Sequence, residues 1–336
     1  MHLFLLLLFV LMVLLLFNPS LNNNIAFSQK PKLSILSLPT LLSISQPPPP
    51  TKTAIINNSN TNNNSSTHTL TQTNNDTQST ITITKLLANN LENRLQKAGS
   101  VLEITSKLPQ VNNTWFAHLL NQTLTTLHGL PKEADIQKRQ LAENILSDYK
   151  DFQIIVFLMP NGDIYMDEPY SRQLASTTSN LAFRDYFQGA VKTHSTYLGD
   201  VITSASSGQR QALIAVPIYS QKNNSTLIGV WAGGIDFGIL NKELQSLKLP
   251  PGERVVYIDH KGQKLADSNT TNSNQVESFA HLQSFQNAIN GQSGLLVEST
   301  DGTTNNKMLV TYSPVKAFQN TWVVLLTQPY TKDIQR

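Results

Sequence analysis

Cysteine is absent from all 336 residues, which excludes a disulfide framework, a thiolate metal site, c-type haem attachment and a cysteine nucleophile. Charge is also scarce, at 14% of residues with a net of +3. Residues 1–84 hold only Lys30, Lys32, Lys52 and Asp76, leaving 22 basic and 21 acidic residues for the rest. No basic domain is present, so a nucleic-acid partner is excluded. The chain contains no HExxH, GxSxG, Walker A or GxGxxG motif. Ser313 and Lys316 match a bare S-x-x-K spacing, but at a strand end, where no helix aims both side chains inward. His118, His128, His194, His260 and His281 are scattered singly and form no metal set. The expectation is no catalytic residue, no metal and no cofactor.

Apolar residues are concentrated at the start. Leu3–Phe17 is an unbroken apolar run stopped by Asn18-Pro19. At about 1.5 Å per residue it reaches about 22 Å, short of the roughly 30 Å hydrocarbon core. Residues 1–28 therefore read as a signal peptide, with Ala26-Phe27-Ser28 as a small-x-small cleavage site, or as a retained membrane anchor. Both readings place the remainder outside the cytoplasm, secreted or anchored. Residues 29–81 read as a disordered stalk. Pro47–Pro50 is stiff polyproline II, and Asn57–Thr80 is almost wholly Asn, Ser, Thr and Gln, with too little apolar surface to offset ordering. Asn-x-Ser/Thr triplets at Asn57, Asn63, Asn75, Asn112, Asn121, Asn223, Asn224 and Asn269 permit glycosylation.

From Ile83 the pattern changes. Leu86, Leu87, Leu91, Leu95, Ala98, Val101, Leu102 and Leu108 recur at helical spacing, predicting a long amphipathic helix over about 82–107 that Pro109 ends. Pro131 opens a second helix, about 132–150. A hairpin follows, Gln153–Met159 and Ile164–Met166 around Pro160-Asn161-Gly162, then a short helix Asn180–Val191 capped by Asn180. Strands Tyr197–Thr203, Arg210–Tyr219 and Thr226–Ile235, with a turn at Gln221–Asn224, lead to a helix at about 237–247. After Pro250-Pro251-Gly252 the plan repeats: a hairpin (Val255–Asp259, Gln263–Ala266), a helix at about 277–290, and strands Gly294–Glu298, Lys307–Ser313 and Thr321–Thr327. The fold class is α+β: a long N-terminal helix followed by two PAS-like antiparallel-sheet subdomains, over 82–250 and 251–330.

The segments Gly162-Asp163-Ile164-Tyr165, Glu168-Pro169-Tyr170, Phe183-Arg184-Asp185-Tyr186-Phe187, Ala215-Val216-Pro217-Ile218-Tyr219, Gly229-Val230-Trp231 and Ile235-Asp236-Phe237 stand in a telling order. In that order, residues 82–330 resemble an extracytoplasmic double Cache sensor domain. The resemblance implies a membrane-distal unit, 82–250, that holds a small ligand such as an amino acid, amine or carboxylate, and a smaller membrane-proximal unit, 251–330. In the family an Arg-x-Trp-Tyr segment grips the ligand carboxylate and an aspartate after the last strand takes its amine. Arg184 and Asp236 match those two positions, Tyr186 stands where tryptophan is common, and Phe187 where tyrosine is. The aromatic expected five residues before the arginine is Ser179 here. A transmembrane signalling partner and a homodimer through helix 82–107 are also implied.

The side-chain chemistry is independent of the family. A guanidinium fits a carboxylate bidentately, and Asp236 is acceptor-only and suits an ammonium. Tyr186, Tyr197 and Trp231 offer ring faces or hydrogen-bond donors, and Tyr170 is a further candidate. Each residue has a structural alternative. Asp236 can cap the helix at Phe237, Arg184 can pair with Asp185 or Glu168, and Trp231 can pack in the core. The expectation is a small-molecule binding protein without turnover and without its own cytoplasmic transducer. The rivals are an interaction module with a filled pocket and an extracytoplasmic hydrolase.

Overall fold

Helix α1 spans Ser65–Ser106 in a computed structural model that describes residues 65–220, 226–269, 276–299 and 307–330, with side chains of α1 from 77 onward. The apolar run 3–17, the Pro47–Pro50 segment and the loop Gln221–Asn224 lie outside the described residues. Among the described residues no helix is long and apolar enough to cross a membrane. Helix α1 starts well before the expected residue 82 and takes in the end of the expected stalk. Over residues 77–84 two threonines fit a buried helix face. Thr80 and Thr84 donate to the carbonyls of Thr77 and Thr80 (2.9 and 2.8 Å), so both hydroxyls are satisfied and both residues are buried. They extend the inward stripe Ala88, Leu91, Leu95, Ala98 and Leu102, whereas the expected stripe member Leu86 faces solvent.

A 3₁₀ turn, Ala117–Leu119, leads into helix α2, Leu120–Leu127, and then α3, Ile136–Asp148. Strands β1, Phe152–Leu158, and β2, Ile164–Glu168, form the first hairpin, followed by the short helix α4, Tyr170–Leu174, and α5, Asp185–Thr193. Helices α2 and α4 have no counterpart among the expected elements. Asn180 does not cap α5: it bridges Asp163, its Oδ1 accepts from Ala182 N, and a turn closed by Arg184 N on the Leu181 carbonyl (3.0 Å) intervenes before the helix begins at Asp185. Next come β3, Tyr197–Leu198, and the hairpin β4, Ile202–Thr203, with β5, Arg210–Gln211. β6, Leu213–Tyr219, and β7, Leu227–Ile235, then lead to α6, Phe237–Ser246. The expected strand 197–203 divides because Asp200 gives its amide to the Asp185 carboxylate (2.5 Å) instead of to a ladder.

The second hairpin, β8, Arg254–Ile258, with β9, Lys264–Asp267, is followed by α7, Gln283–Ile289, and strands β10, Gly294–Ser299, β11, Lys307–Ala317, and β12, Asn320–Pro329. The first sheet runs β2-β1-β7-β6-β3 and the second β9-β8-β12-β11-β10, one antiparallel order used twice. Strand alternation divides each sheet into two faces. One face of both sheets, with Phe157, Trp231, Val255 and Trp322, packs against α1 in a single core. The other face of the first sheet, with Val156, Leu213 and Ala232, lies under α5; that of the second, with Val256, Val310 and Leu325, lies under α7.

The repetition extends to detail. Gly162 and Gly262 both turn at positive φ (84° and 81°), and each accepts at its carbonyl from the start of the crossover, Leu181 N at 2.8 Å and Phe279 N at 2.7 Å. Both hairpins carry a bulge at the same place. Leu158 pairs with Ile164 and Phe157 with Met166, leaving Tyr165 as the extra residue; Ile258 pairs with Lys264 and Tyr257 with Ala266, leaving Leu265. Asp167 and Asp267 therefore occupy equivalent positions, opposite Val156 and Val256.

Candidate functional site

A cleft opens on the α5 side of the first sheet, between Val156 and Leu213 on the strands, Arg184 and Tyr186 at the start of α5, and the β4–β5 hairpin. Its volume is about 30 Å³, enough for two or three waters at about 10–15 Å³ each. Its walls are apolar, and a few convergent polar groups stand among them, the usual composition of a small-ligand site.

Asp167 is buried among these groups, at 3% exposure, and its Oδ1 has no hydrogen-bond partner. Burial pushes its carboxyl up to about 7; Arg172 and Arg139 oppose the rise and Glu168 adds to it. Arg172, on α4, donates from Nε to Ser206 Oγ (2.8 Å) and from Nη2 to Ser204 Oγ (3.1 Å), tying the β4–β5 hairpin to the site. Arg184 donates from Nη2 to the Thr203 carbonyl (3.2 Å) and lies over the Phe183 ring, while its buried Nε has no partner. Tyr186 is fully buried. Burial chiefly, with Asp167 adding and Arg184 opposing, holds its hydroxyl well above the usual phenol range, so it stays a neutral donor. Gln211 completes the set with a buried, unpartnered Oε1.

Of the residues expected to bind ligand, the structure brings Arg184 and Tyr186 together in this cleft. Phe187 and Tyr197 belong to the apolar layer beneath α5. Trp231 is on the opposite face: residues 230 and 232 point toward α5, so 231 points toward α1, where its Nε1 donates to Thr105 Oγ1 at 3.0 Å. Asp236 caps α6 by accepting from Gly238 N at 2.8 Å, and it lines a separate cleft with Arg210 and Leu265. Tyr170 lies under the Arg139 guanidinium, 5.0 Å from ring to charge, beside the buried Arg139–Glu168 pair. The capping and core alternatives therefore describe Asp236 and Trp231, and Tyr170 supports an ion pair away from the cleft.

Asp167, Arg172 and Gln211 escaped the sequence reading. Strict alternation from Ile164 would place residue 167 on the α1 face, and the bulge at Tyr165 returns it to the cleft. Arg172 lies on a helix too short to show periodicity. Among the described residues no group of three His, Asp or Glu side chains is placed to hold a metal ion.

The five-stranded order with a helical crossover over one face defines a PAS-like sensor fold, present twice behind a long helix. The Cache domain model matches residues 63–334, and the chain belongs to the double Cache family. No curated protein matches the chain. Among solved structures, it is similar to the periplasmic sensory domain of the Campylobacter jejuni chemoreceptor Tlp1, with 16% identity, TM-score 0.55, and 78% of this chain and 98% of that one covered. The ligand-binding domain of the Pseudomonas aeruginosa PAO1 amino acid chemoreceptor PctB, in complex with L-Gln, shows 15% identity and TM-score 0.51 over 75% and 90%. The extracellular ligand binding receptor from Desulfohalobium retbaense DSM5692 shows 12% identity and TM-score 0.50; 77% of this chain is covered, but it spans only 39% of that receptor.

Proposed function

We propose that this chain is an extracytoplasmic sensor-type protein that binds a small carboxylate- or amine-bearing molecule in the first-sheet cleft, at equilibrium and without turnover. One observation carries the reading. Among the described residues six buried side-chain polar atoms lack a hydrogen-bond partner, and three of them, on Asp167, Arg184 and Gln211, belong to this one cleft. No protein group serves these atoms, so their partners must come from outside the chain, an arrangement that a ligand's complementary groups suit. The fold shared with PctB, which holds L-Gln, supports a small polar ligand. Within this reading residues 82–250 are the membrane-distal binding unit and 251–330 the membrane-proximal one, and occupancy passes to a transmembrane partner. The exposed Ile83, Leu86 and Ile104 of α1 support a homodimer through that helix, which sedimentation showing monomer alone would reject.

A thermal-shift screen of amino acids, amines and short carboxylates on the full chain tests the binding assignment. At least one ligand should raise the melting temperature, and Arg184→Ala should weaken that ligand about tenfold or more, the loss of one charge-assisted bond at about 1.5–3 kcal/mol. A screen with no hit, or a hit indifferent to Arg184→Ala, overturns it. Chemical conversion of the hit would favour a hydrolase.

A further inference from the structure

The second sheet contains the same aspartate in the same bulged hairpin, and there its partners are built in. Arg254 Nε donates to Asp267 Oδ1 at 3.0 Å and Nη2 to Oδ2 at 2.6 Å, while Lys264 Nζ stands 3.3 Å from Oδ2. The same guanidinium bonds Glu277 (3.1 and 2.6 Å) and lies over the Phe279 ring. Asp267, fully buried, is held below the ordinary aspartate value: burial raises it, and the Arg254 hydrogen bonds and charge more than offset that. Strand register and the shared crossover bonds identify the first-sheet counterparts. Arg254 corresponds to Ile154, Lys264 to Ile164, Glu277 to Ser179 and Phe279 to Leu181.

Both built-in cations are thus isoleucines in the first sheet, while the buried carboxylate stays. Ile154 and Leu181 line the cleft, so its volume lies where the second sheet seats the Arg254 guanidinium. The neighbouring cations of the first sheet have other hydrogen-bond partners: Arg172 bonds Ser204 and Ser206, and Arg139 bonds Glu168 and Gln173. Arg184 faces the cleft, yet no hydrogen bond joins it to Asp167 Oδ1. A buried, unpaired carboxylate is among the least favourable groups a fold can hold, and a charge of opposite sign with hydrogen-bond donors is what relieves it.

We infer that the first-sheet cleft takes a cationic group of its ligand, an ammonium or guanidinium, on Asp167, in the place that Arg254 fills in the second sheet. Asp167, not Asp236, is then the cation-binding residue. The second sheet carries its own occupant, so one chain binds one ligand. This assignment rests on the binding function proposed above and narrows its ligand class.

Two matched probes isolate the cation. L-alanine and L-lactate differ by ammonium against hydroxyl, and ethylammonium chloride supplies the cation without a carboxylate. Calorimetric titration of the full chain should show alanine binding at least tenfold tighter than lactate, and Asp167→Asn should abolish that preference. Ile154→Arg should reproduce the second-sheet pair, raising the melting temperature of the free chain and blocking alanine and ethylammonium alike. If Ile154→Arg fails to fold, the Asp167→Asn preference decides. Should lactate match alanine, or Asp167→Asn leave the preference intact, the cation assignment falls and ligand binding stands. Should none of the three probes bind, the assignment also falls, unless Asp167→Asn weakens a cationic hit from the wider screen. No hit of any kind removes both readings.

Discussion

Asp167 links the site to pH. Its carboxyl, pushed up to about 7 by burial, keeps its proton in the folded chain to a higher pH than in the unfolded one. Its contribution to stability is therefore fully present below its ordinary value, near 3.8, and is lost as pH rises through about 7. For that rise the whole linkage is on the order of 4 kcal/mol. Asp167→Asn should match the parent near pH 4 in urea unfolding and exceed it progressively toward pH 8; parallel pH profiles would contradict the burial argument. A cationic ligand needs the ionised form, so its affinity should fall as pH drops below about 7. Trp231 gives a contrasting residue-scale test. Trp231→Phe should cost about 1 kcal/mol for the lost Thr105 bond, plus some packing, and leave ligand affinity unchanged. A large affinity loss would return Trp231 to the site.

At the scale of elements, α1 is held mainly by its inward stripe. Its early part is Thr- and Asn-rich; Thr80 and Thr84 can be buried there because their hydroxyls are satisfied, Thr84 also meeting Thr311 Oγ1 at 2.7 Å on β11. Leu95 is 2% exposed in the core shared by both sheets. Leu95→Ala should therefore cost about 2–5 kcal/mol, whereas Leu86→Ala, on the outer side, should stay within about 0.5 kcal/mol in the monomer; denaturant titration separates them. The two bulged hairpins matter as elements too. Each returns an aspartate to the outer face, and the different neighbours on β1 and β8 decide whether that aspartate meets a built-in guanidinium or a cleft.

Across the whole molecule, the sheets are linked beside the cleft. Gln319, in the β11–β12 turn, accepts from Leu198 N at 3.1 Å and donates to Leu198 O at 2.5 Å. Asp200, whose amide bonds Asp185 next to Arg184, also meets Lys261 (2.5 Å) and His260 (3.2 Å). Arg210 donates to the Lys264 carbonyl at 2.9 Å. The Gln319 clasp is two partly buried hydrogen bonds, worth about 1–2 kcal/mol together, whereas the Lys261 pair is solvent-exposed and worth under about 1 kcal/mol. Gln319→Ala should lower stability more than Lys261→Ala; the reverse order in calorimetry would mean that the ion pair, not the amide clasp, joins the sheets.

How much of this was legible follows from the range of each cause. Periodicity of 3.6 and of 2 along the chain exposed the long helix, both hairpins and the repeated plan, because those patterns are local. Arg184 and Tyr186 stood out through the resemblance, by their match to the family's Arg-x-Trp-Tyr segment, and the fold sets both beside the cleft. Asp167 was not legible, since a one-residue bulge reverses the face that alternation assigns. Trp231 and Asp236 were legible as residues but not as roles. Their alternatives differ only in which face of β7 meets α1 and where α6 begins. By itself the sequence determined the cysteine-free, charge-poor α+β chain with two like units. Only the tertiary structure decided that one unit seals its buried aspartate with its own arginine while the other leaves it facing a cleft. That outcome depends on register and on contacts between strands far apart in the chain.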